Sequence, residues 1–483
     1  MTFSRLLLSL TLLAVVSLFG PLRWSNIHAD FVARDPGPRG APIGAGHPIG
    51  GLTDSQSIFF QDGMLRFAEI DSVSGKLLGE VSPGLGPAFN SNGCSSCHSQ
   101  PATGGSSPNR NAFPFIGPNP QIAVATLDGA ANTIPFFITE DGPVREVRFK
   151  YFLASDGTLS SQRDGGVHEL FTIQGRVDAT NVTGITGALQ TCQLAQPDFQ
   201  QMNRLNNLSF RIPSPLFGTG FIENIPEATL VANLAANGAL KAGLGISGHL
   251  NRNPNDGTIS RFGWKAQNKS LRIFAAEAYN VEMGVTNEAF PDERGYAPES
   301  PPANCLFNAT PEDQTHMGED QQGSAVLSNE VEFANFIRFL DQPRPSCSGS
   351  GCPQDVQTGR SLFASLGCSL CHTPSMKTTV SIFSDRLSNK DANLFSDLAV
   401  HHMGSGLADD IIQGSAGPDE FRTAPLWGLG QRVFFLHDGR TQDLIQAIEQ
   451  HASPGSEANG VVNNYHHLNE QQKQDLLNFL RSL

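Results

Sequence analysis

Gly367-Cys368-Ser369-Leu370-Cys371-His372 has an upstream counterpart, Gly93-Cys94-Ser95-Ser96-Cys97-His98, and these two stretches decide how the chain of 483 residues is read. Two thiols three positions apart can each add to a vinyl group of one haem, and the histidine that follows is placed to bind the iron from one face. Two copies imply two covalently bound c-type haems. A zinc ribbon is the competing reading, because Cys347, Cys352, Cys368 and Cys371 have a fitting spacing. It leaves His372 idle and gives no account of Cys94 and Cys97, which have no second thiol pair nearby.

The length allows two or three domains. With 49 Gly and 31 Pro, long irregular stretches are expected between short elements. A formal charge of -14 argues against nucleic acid and anionic membrane surfaces as partners. Arg5, the apolar run 6–19 and the small residue Ala29 read as a secretory signal over residues 1–29. The run is short for a spanning helix, so cleavage, a periplasmic location and no membrane after cleavage are expected. An oxidising compartment permits disulfides. Cys347 and Cys352 bracket a flexible Ser-Gly-Ser-Gly loop, which leaves Cys192 with Cys305 by elimination.

Residues 30–51 read as an extended leader, and an apolar segment over 59–67 runs toward the first motif. From 104 to about 225 the pattern is strand and turn, with Val144, Glu146 and Arg148 alternating with Arg145, Val147 and Phe149. This stretch is too long for a loop and reads as an insertion. Helical periodicity appears at 269–283, 330–340, 356–366 and 469–483, the last opened by Asn469 and Gln472 as a capping box. The expected fold is mainly α, with two cytochrome c-like haem domains. Residues 30–345 form the first, carrying a large strand- and loop-rich insertion, and 346–483 form the second.

An internal repeat allows the two units to be compared. Asn335-Phe336-Ile337-Arg338-Phe339-Leu340 closes one, and Asn478-Phe479-Leu480-Arg481-Ser482-Leu483 closes the other. Upstream, Trp264 precedes Leu271 as His437 precedes Leu444, by seven residues in each case. Seven residues after Leu444 stands His451, and seven after Leu271 stands Ala278. The second haem is therefore expected to be held by His372 and His451, with Met403 and His401 as competing ligands. The first is expected to be held by His98 alone, with an open distal face. An open haem that cleaves an O–O bond needs a proton-handling group. Glu282 is the first choice, ahead of Glu277, and Trp264 is a candidate electron relay between the haems.

These residues resemble the bacterial di-haem cytochrome c peroxidase superfamily, and within it the di-haem, thiol oxidoreductase-like oxidoreductases. The likeness is closest over the C-terminal third: Gly359-Arg360-Ser361-Leu362-Phe363, His401-His402-Met403-Gly404 with Leu407-Ala408-Asp409, and the run from Glu420-Phe421-Arg422 to His437-Asp438-Gly439-Arg440. The resemblance implies a peroxide-reactive N-terminal haem and a C-terminal haem fed by a small cytochrome c or cupredoxin. It implies that Glu282, before Met283, is the catalytic carboxylate and Trp264 the interhaem tryptophan. It also raises a calcium ion between the units, for which the scattered acidic residues nominate no ligands. Two departures stand out: His451 replaces a ligand methionine, and Phe274 stands where the family has a catalytic glutamine. A peroxidase-like enzyme is the first expectation, with peroxide or another small oxidant as substrate. The alternative is an electron carrier with both irons fully ligated, the first through Met283 or His168.

Overall fold

The computed structural model describes residues 31–40, 44–77, 80, 84–110, 117–178, 192, 194–294, 305, 311–317 and 325–483. The signal expected over 1–29 lies outside these residues.

Two helix pairs built alike carry the two Cys-x-x-Cys-His motifs. The helix Asp54–Ala68 leads to the first motif and packs on Asn329–Phe339. The helix Gln354–Leu366 leads to the second and packs on Glu470–Ser482. Each crossing requires a glycine. A methyl group on Gly63 would overlap the Glu332 carbonyl and stand 2.9 Å from Phe336 Cβ; on Gly359 it would overlap the Asp475 carbonyl and stand 2.8 Å from Phe479 Cβ. Phe336 and Phe479 are the second residues of the six-residue repeat, and Glu332 and Asp475 both lie three residues before it. One turn beyond each glycine, Phe67 and Phe363 touch the same partner ring, with centroids 4.9 and 5.4 Å apart. They also touch the motif histidine, with centroids 6.0 Å apart for Phe67 and His98 and 6.3 Å for Phe363 and His372. The repeat seen in six letters of sequence thus extends to matched contacts between helix, helix and motif.

Local chemistry sets the helix ends. Thr53 with Gln56 and Asn469 with Gln472 form capping boxes, each satisfying two backbone N–H groups that the first turn leaves unpaired. The helix Leu271–Met283 starts at Ser270, whose hydroxyl accepts from Ile273 N–H. It ends at Gly284, where φ is 73°, a conformation that favours glycine.

The insertion forms a three-stranded antiparallel sheet, ordered Val167–His168, Glu146–Phe149, Leu208–Arg211, beside the hairpin Tyr151–Leu153 and Leu159–Arg163. Val147 and Phe149 enter the first hydrophobic core with Phe137 and Phe199. Against the expectation of a mainly α molecule, the described residues mix helices with six sheets of two or three strands. The Gly- and Pro-punctuated segments are too short to nucleate helices, and their backbone groups pair locally instead. Cys192 is bonded to Cys305 and Cys347 to Cys352, with Cα atoms 4.8 and 5.0 Å apart. The second bond removes the zinc-ribbon reading. Among the described residues, no helix is long and apolar enough to cross a membrane.

The leader is not a loose arm. Ala33 is buried in the second core, and the Asp35 carboxylate accepts from the Arg481 guanidinium at 2.6 and 2.7 Å. Further along, Arg39 N–H donates to Gly430 O at 2.7 Å and Ile49 N–H to Phe339 O at 2.8 Å. One strap therefore touches the ends of both closing helices.

Candidate functional site: two histidine-faced cavities

Each motif opens into its own cavity, one at Cys94 and one at Cys368. His98 Nδ1 bonds Gly105 O at 2.9 Å, and His372 Nδ1 bonds Phe395 O at 3.0 Å. With Nδ1–H donating, Nε2 keeps its lone pair for a metal, and the ring is held in one orientation. Burial pushes both imidazoles down to about 4, so both are neutral at ordinary pH. The four motif thiols are free. Burial pushes Cys97 and Cys368 up to about 12, and Cys94 also upward, so these thiols stay protonated.

The opposite walls differ. In the second cavity stands His451, its Nδ1 donating to Ala447 O at 2.7 Å, which again leaves Nε2 unengaged. After burial, His451 is the next largest influence lowering His372, as expected for two rings facing one space. The preceding helix, Leu444–Glu449, stops before His451; the histidine closes its last turn rather than continuing the face. Met403 lines the same cavity. His401 is corrected as a competing ligand: its Nδ1 meets Glu457 at 2.8 Å and its Nε2 meets Asp397 at 3.0 Å. Both nitrogens are engaged as donors, and the two carboxylates hold its pKa well above the usual histidine value against the pull of burial. The grouping of Cys371, Asp397 and His401 therefore offers no free imidazole to a metal.

Ala278 lines the first cavity, with Glu282 one turn further along the same helix. Glu282 accepts from Asn90 Nδ2 at 2.8 Å, and burial, then the charge of Glu146, raises it to about 8. Glu277 also borders the cavity but is bonded to Asn268. His168 is corrected as a ligand of the first site. It lies outside the cavity, stacked on Phe149 at 3.7 Å and bonded to Asp164 at 2.8 Å. The Met283 sulfur lies 3.9 Å from Cys94 Sγ.

Trp264 lines both cavities, its indole N–H donating to Ile212 O at 2.8 Å. Among the described residues, it is the side chain common to both. Beside it Lys265 is fully buried, bridging Asp409 at 3.0 Å and the carbonyls of Gly417 and Glu420 at 2.8 Å.

Sequence reading missed several groups. Arg422 and Arg432 border the second cavity, bond backbone carbonyls at 2.8 and 3.4 Å, and among the described residues have no carboxylate partner. Burial lowers both to about 10. Arg432 Nε is buried without an acceptor. Buried guanidinium groups call for anions, and haem propionates are anions of the right kind. Glu146, Arg148 and Arg211, from the insertion, wall the first cavity. The alternation at 144–149 was the available signal, since it set Glu146 and Arg148 on one face. Paired thiols and an oriented histidine fit a haem in each cavity, and the unpartnered arginines add to that fit at the second.

A family profile described as "Di-haem oxidoreductase, putative peroxidase" matches residues 153–483. The chain belongs to this family of di-haem oxidoreductases. No curated protein sequence matches it. Among solved structures, it is similar to Kuenenia stuttgartiensis hydrazine synthase pressurised with xenon, at 19% identity and a TM-score of 0.22, over 34% of this chain and 60% of that one. It is also similar to a MauG-like protein associated with microbial copper homeostasis, at 18% identity and a TM-score of 0.23, over 32% of this chain and 52% of that one. Likeness at this level carries no argument about activity, and the chain spans less than two thirds of either structure.

Proposed function

We propose that the chain is an exported, peroxidase-like di-haem c-type oxidoreductase with one open and one closed haem. Cys94 with Cys97, and Cys368 with Cys371, would form the thioether bonds, and His98 and His372 would supply the proximal imidazoles. Bound there, haem iron would supply electron storage and reactivity toward peroxide or a related small oxidant. His451 closes the second site and suits it to electron transfer. At the first site Ala278 leaves room for a small ligand and Glu282 holds a proton beside it. Trp264 is the residue placed to pass electrons between the sites, and a small cytochrome c or cupredoxin is the expected donor. The two disulfides support export to an oxidising compartment such as the periplasm.

The observation that carries this reading is the contrast between His451 and Ala278 across two otherwise matched cavities. The paired helices support a reading of two haem domains of cytochrome c type, over 30–345 and 346–483. The carrier alternative needs a second ligand at the first iron, and the placement of His168 removes one of its two candidates. A redox titration followed by optical and magnetic spectra tests the proposal, with cyanide and carbon monoxide added at each oxidation state. One high-spin and one low-spin ferric centre are expected, with exogenous ligand bound at one haem. Ligand bound at neither haem in any oxidation state would sink the enzymatic reading.

A further inference from the structure

Two guanidinium groups stand at the second cavity with no carboxylate bonded to either among the described residues. Arg422 is 7% exposed; its Nε donates to Gly263 O at 2.8 Å, and its two Nη groups donate to no described residue. Arg432 Nη2 reaches Pro425 O at 3.4 Å, and its Nε is buried with no acceptor. The two charges feel each other: after burial, Arg432 is the next influence lowering Arg422.

Nothing else in the wall offsets them. Among the described residues bordering this cavity the only carboxylate is Glu457, already bonded to His401 Nδ1 and to the Ser247 hydroxyl, each at 2.8 Å. Around the arginines the wall is apolar, with Leu426, Leu429, Phe435 and Leu436. Like charges in such a wall repel and remain poorly solvated unless matching anions enter. In the first cavity Arg148 and Arg211 are bonded to Glu146 and Asp409, which leaves Arg145 as the one bordering arginine there that bonds carbonyls alone. An uncompensated pair belongs to the second cavity.

The fork of N–H groups on arginine suits planar carboxylates, which it can grip through two bonds at once. A haem carries two carboxylates, its propionates, on the edge opposite its vinyl groups. With the vinyl edge tied to Cys368 and Cys371, the propionate edge is the one left for the arginines.

We propose that Arg422 and Arg432 form a paired anion site for the two propionates of the second haem, seating that edge of the porphyrin beside Trp264 and raising the potential of its iron. This rests on the reading of the second cavity as a haem site. Arg422 ties the clamp to the relay residue, since its backbone N–H donates to Trp264 O at 2.8 Å while its side chain holds the adjoining Gly263 O. Trp264 in turn borders both cavities. Two ionised propionates favour ferric iron, and each guanidinium cancels one of those charges where the dielectric is low. Imidazoles on both faces of the iron pull its potential below that of a methionine-ligated haem. The arginine pair pushes it back up.

The test uses the full-length holoprotein and the variants R432M, R432K and R422M, with each haem followed separately in a spectroelectrochemical titration. Arg432 makes no bond to Trp264, so R432M is the cleaner change. It should move the ferric–ferrous equilibrium of the second haem at least tenfold toward ferric, a fall of about 59 mV or more, and leave the first haem unmoved. R422M should lower the same potential, and R432K, which keeps the charge but loses the fork, should lower it less than R432M. In resonance Raman spectra the propionate bending mode of the parent should report strong hydrogen bonding and should move in R432M, which a merely structural arginine would not cause. A second-haem potential unmoved in either methionine variant, or lowered as far in R432K as in R432M, overturns the proposal. Where a variant loses its haem, the parent's Raman band decides, and a band typical of water-exposed propionates overturns the proposal. A parent in which mass spectrometry finds no haem on Cys368 and Cys371 removes the haem reading of the second cavity instead.

Discussion

The two cavities share a frame and differ in what faces the motif histidine. In both, a glycine crossing brings two helices together, a phenylalanine one turn on steadies the imidazole, and a backbone carbonyl fixes its Nδ1. The second cavity is then completed by an imidazole within its own unit, at His451. The first receives alanine at the matching position and is completed by the insertion, which brings Glu146, Arg148 and Arg211. A conserved scaffold geometry within one chain can thus host two chemistries, because the distal wall is set by separate residues. Arg422 and Arg432 at the second site and the acid–base cluster at the first show the same division.

The frame itself should be the most sensitive feature. Gly63→Leu and Gly359→Leu each drive a side chain into a backbone carbonyl, and each should cost more than about 4 kcal/mol and lower the thermal midpoint steeply. Tolerance at one position alone would break the equivalence of the two helix pairs. Next comes the proton-handling group: E282Q should slow the peroxide reaction by about 10²–10⁴-fold with both haems still bound, as read by stopped-flow absorbance. The walls can then be exchanged. H451A should make the second haem high-spin and able to bind cyanide, and A278H should turn the first low-spin and exclude it; magnetic resonance of the ferric protein reads both. Trp264→Phe should leave both spectra intact and slow only the equilibration of electrons between haems after rapid reduction.

The smallest effect concerns the His401 clamp. Although burial opposes ionisation, His401 beside it holds Glu457 down to about 2. A depressed carboxylate stabilises the fold above its ordinary range, near 4.5, and that contribution disappears as pH falls through about 2. E457Q should therefore be less stable than the parent at pH 5 and match it below pH 2, measured by denaturant unfolding across pH.

Much of this was legible in the chain because covalent and periodic signals are local. Cys-x-x-Cys-His, the capping box at Asn469 and the matched spacing to Ala278 and His451 can be read from neighbours alone. The helix Asp54–Ala68 was visible only as an apolar segment, although Thr53 and Gln56 spell the same capping box. Glu146 was placed on the correct face of a strand, but that it shares a cavity with Glu282, 136 residues away in sequence, is encoded by no local pattern. The engagement of both His401 nitrogens depends likewise on Glu457, which lies 56 residues downstream. The family resemblance supplied roles for Glu282 and Trp264 and was silent on the insertion, which falls partly outside the matched residues.

The strap at residues 31–40 and 44–51 has a consequence for biogenesis. Ala33 and Asp35 find their partners on Glu470–Ser482, and Arg481 lies 446 residues downstream of Asp35. The strap can therefore be seated only after the helix Glu470–Ser482 has been made, although its own residues are made far earlier.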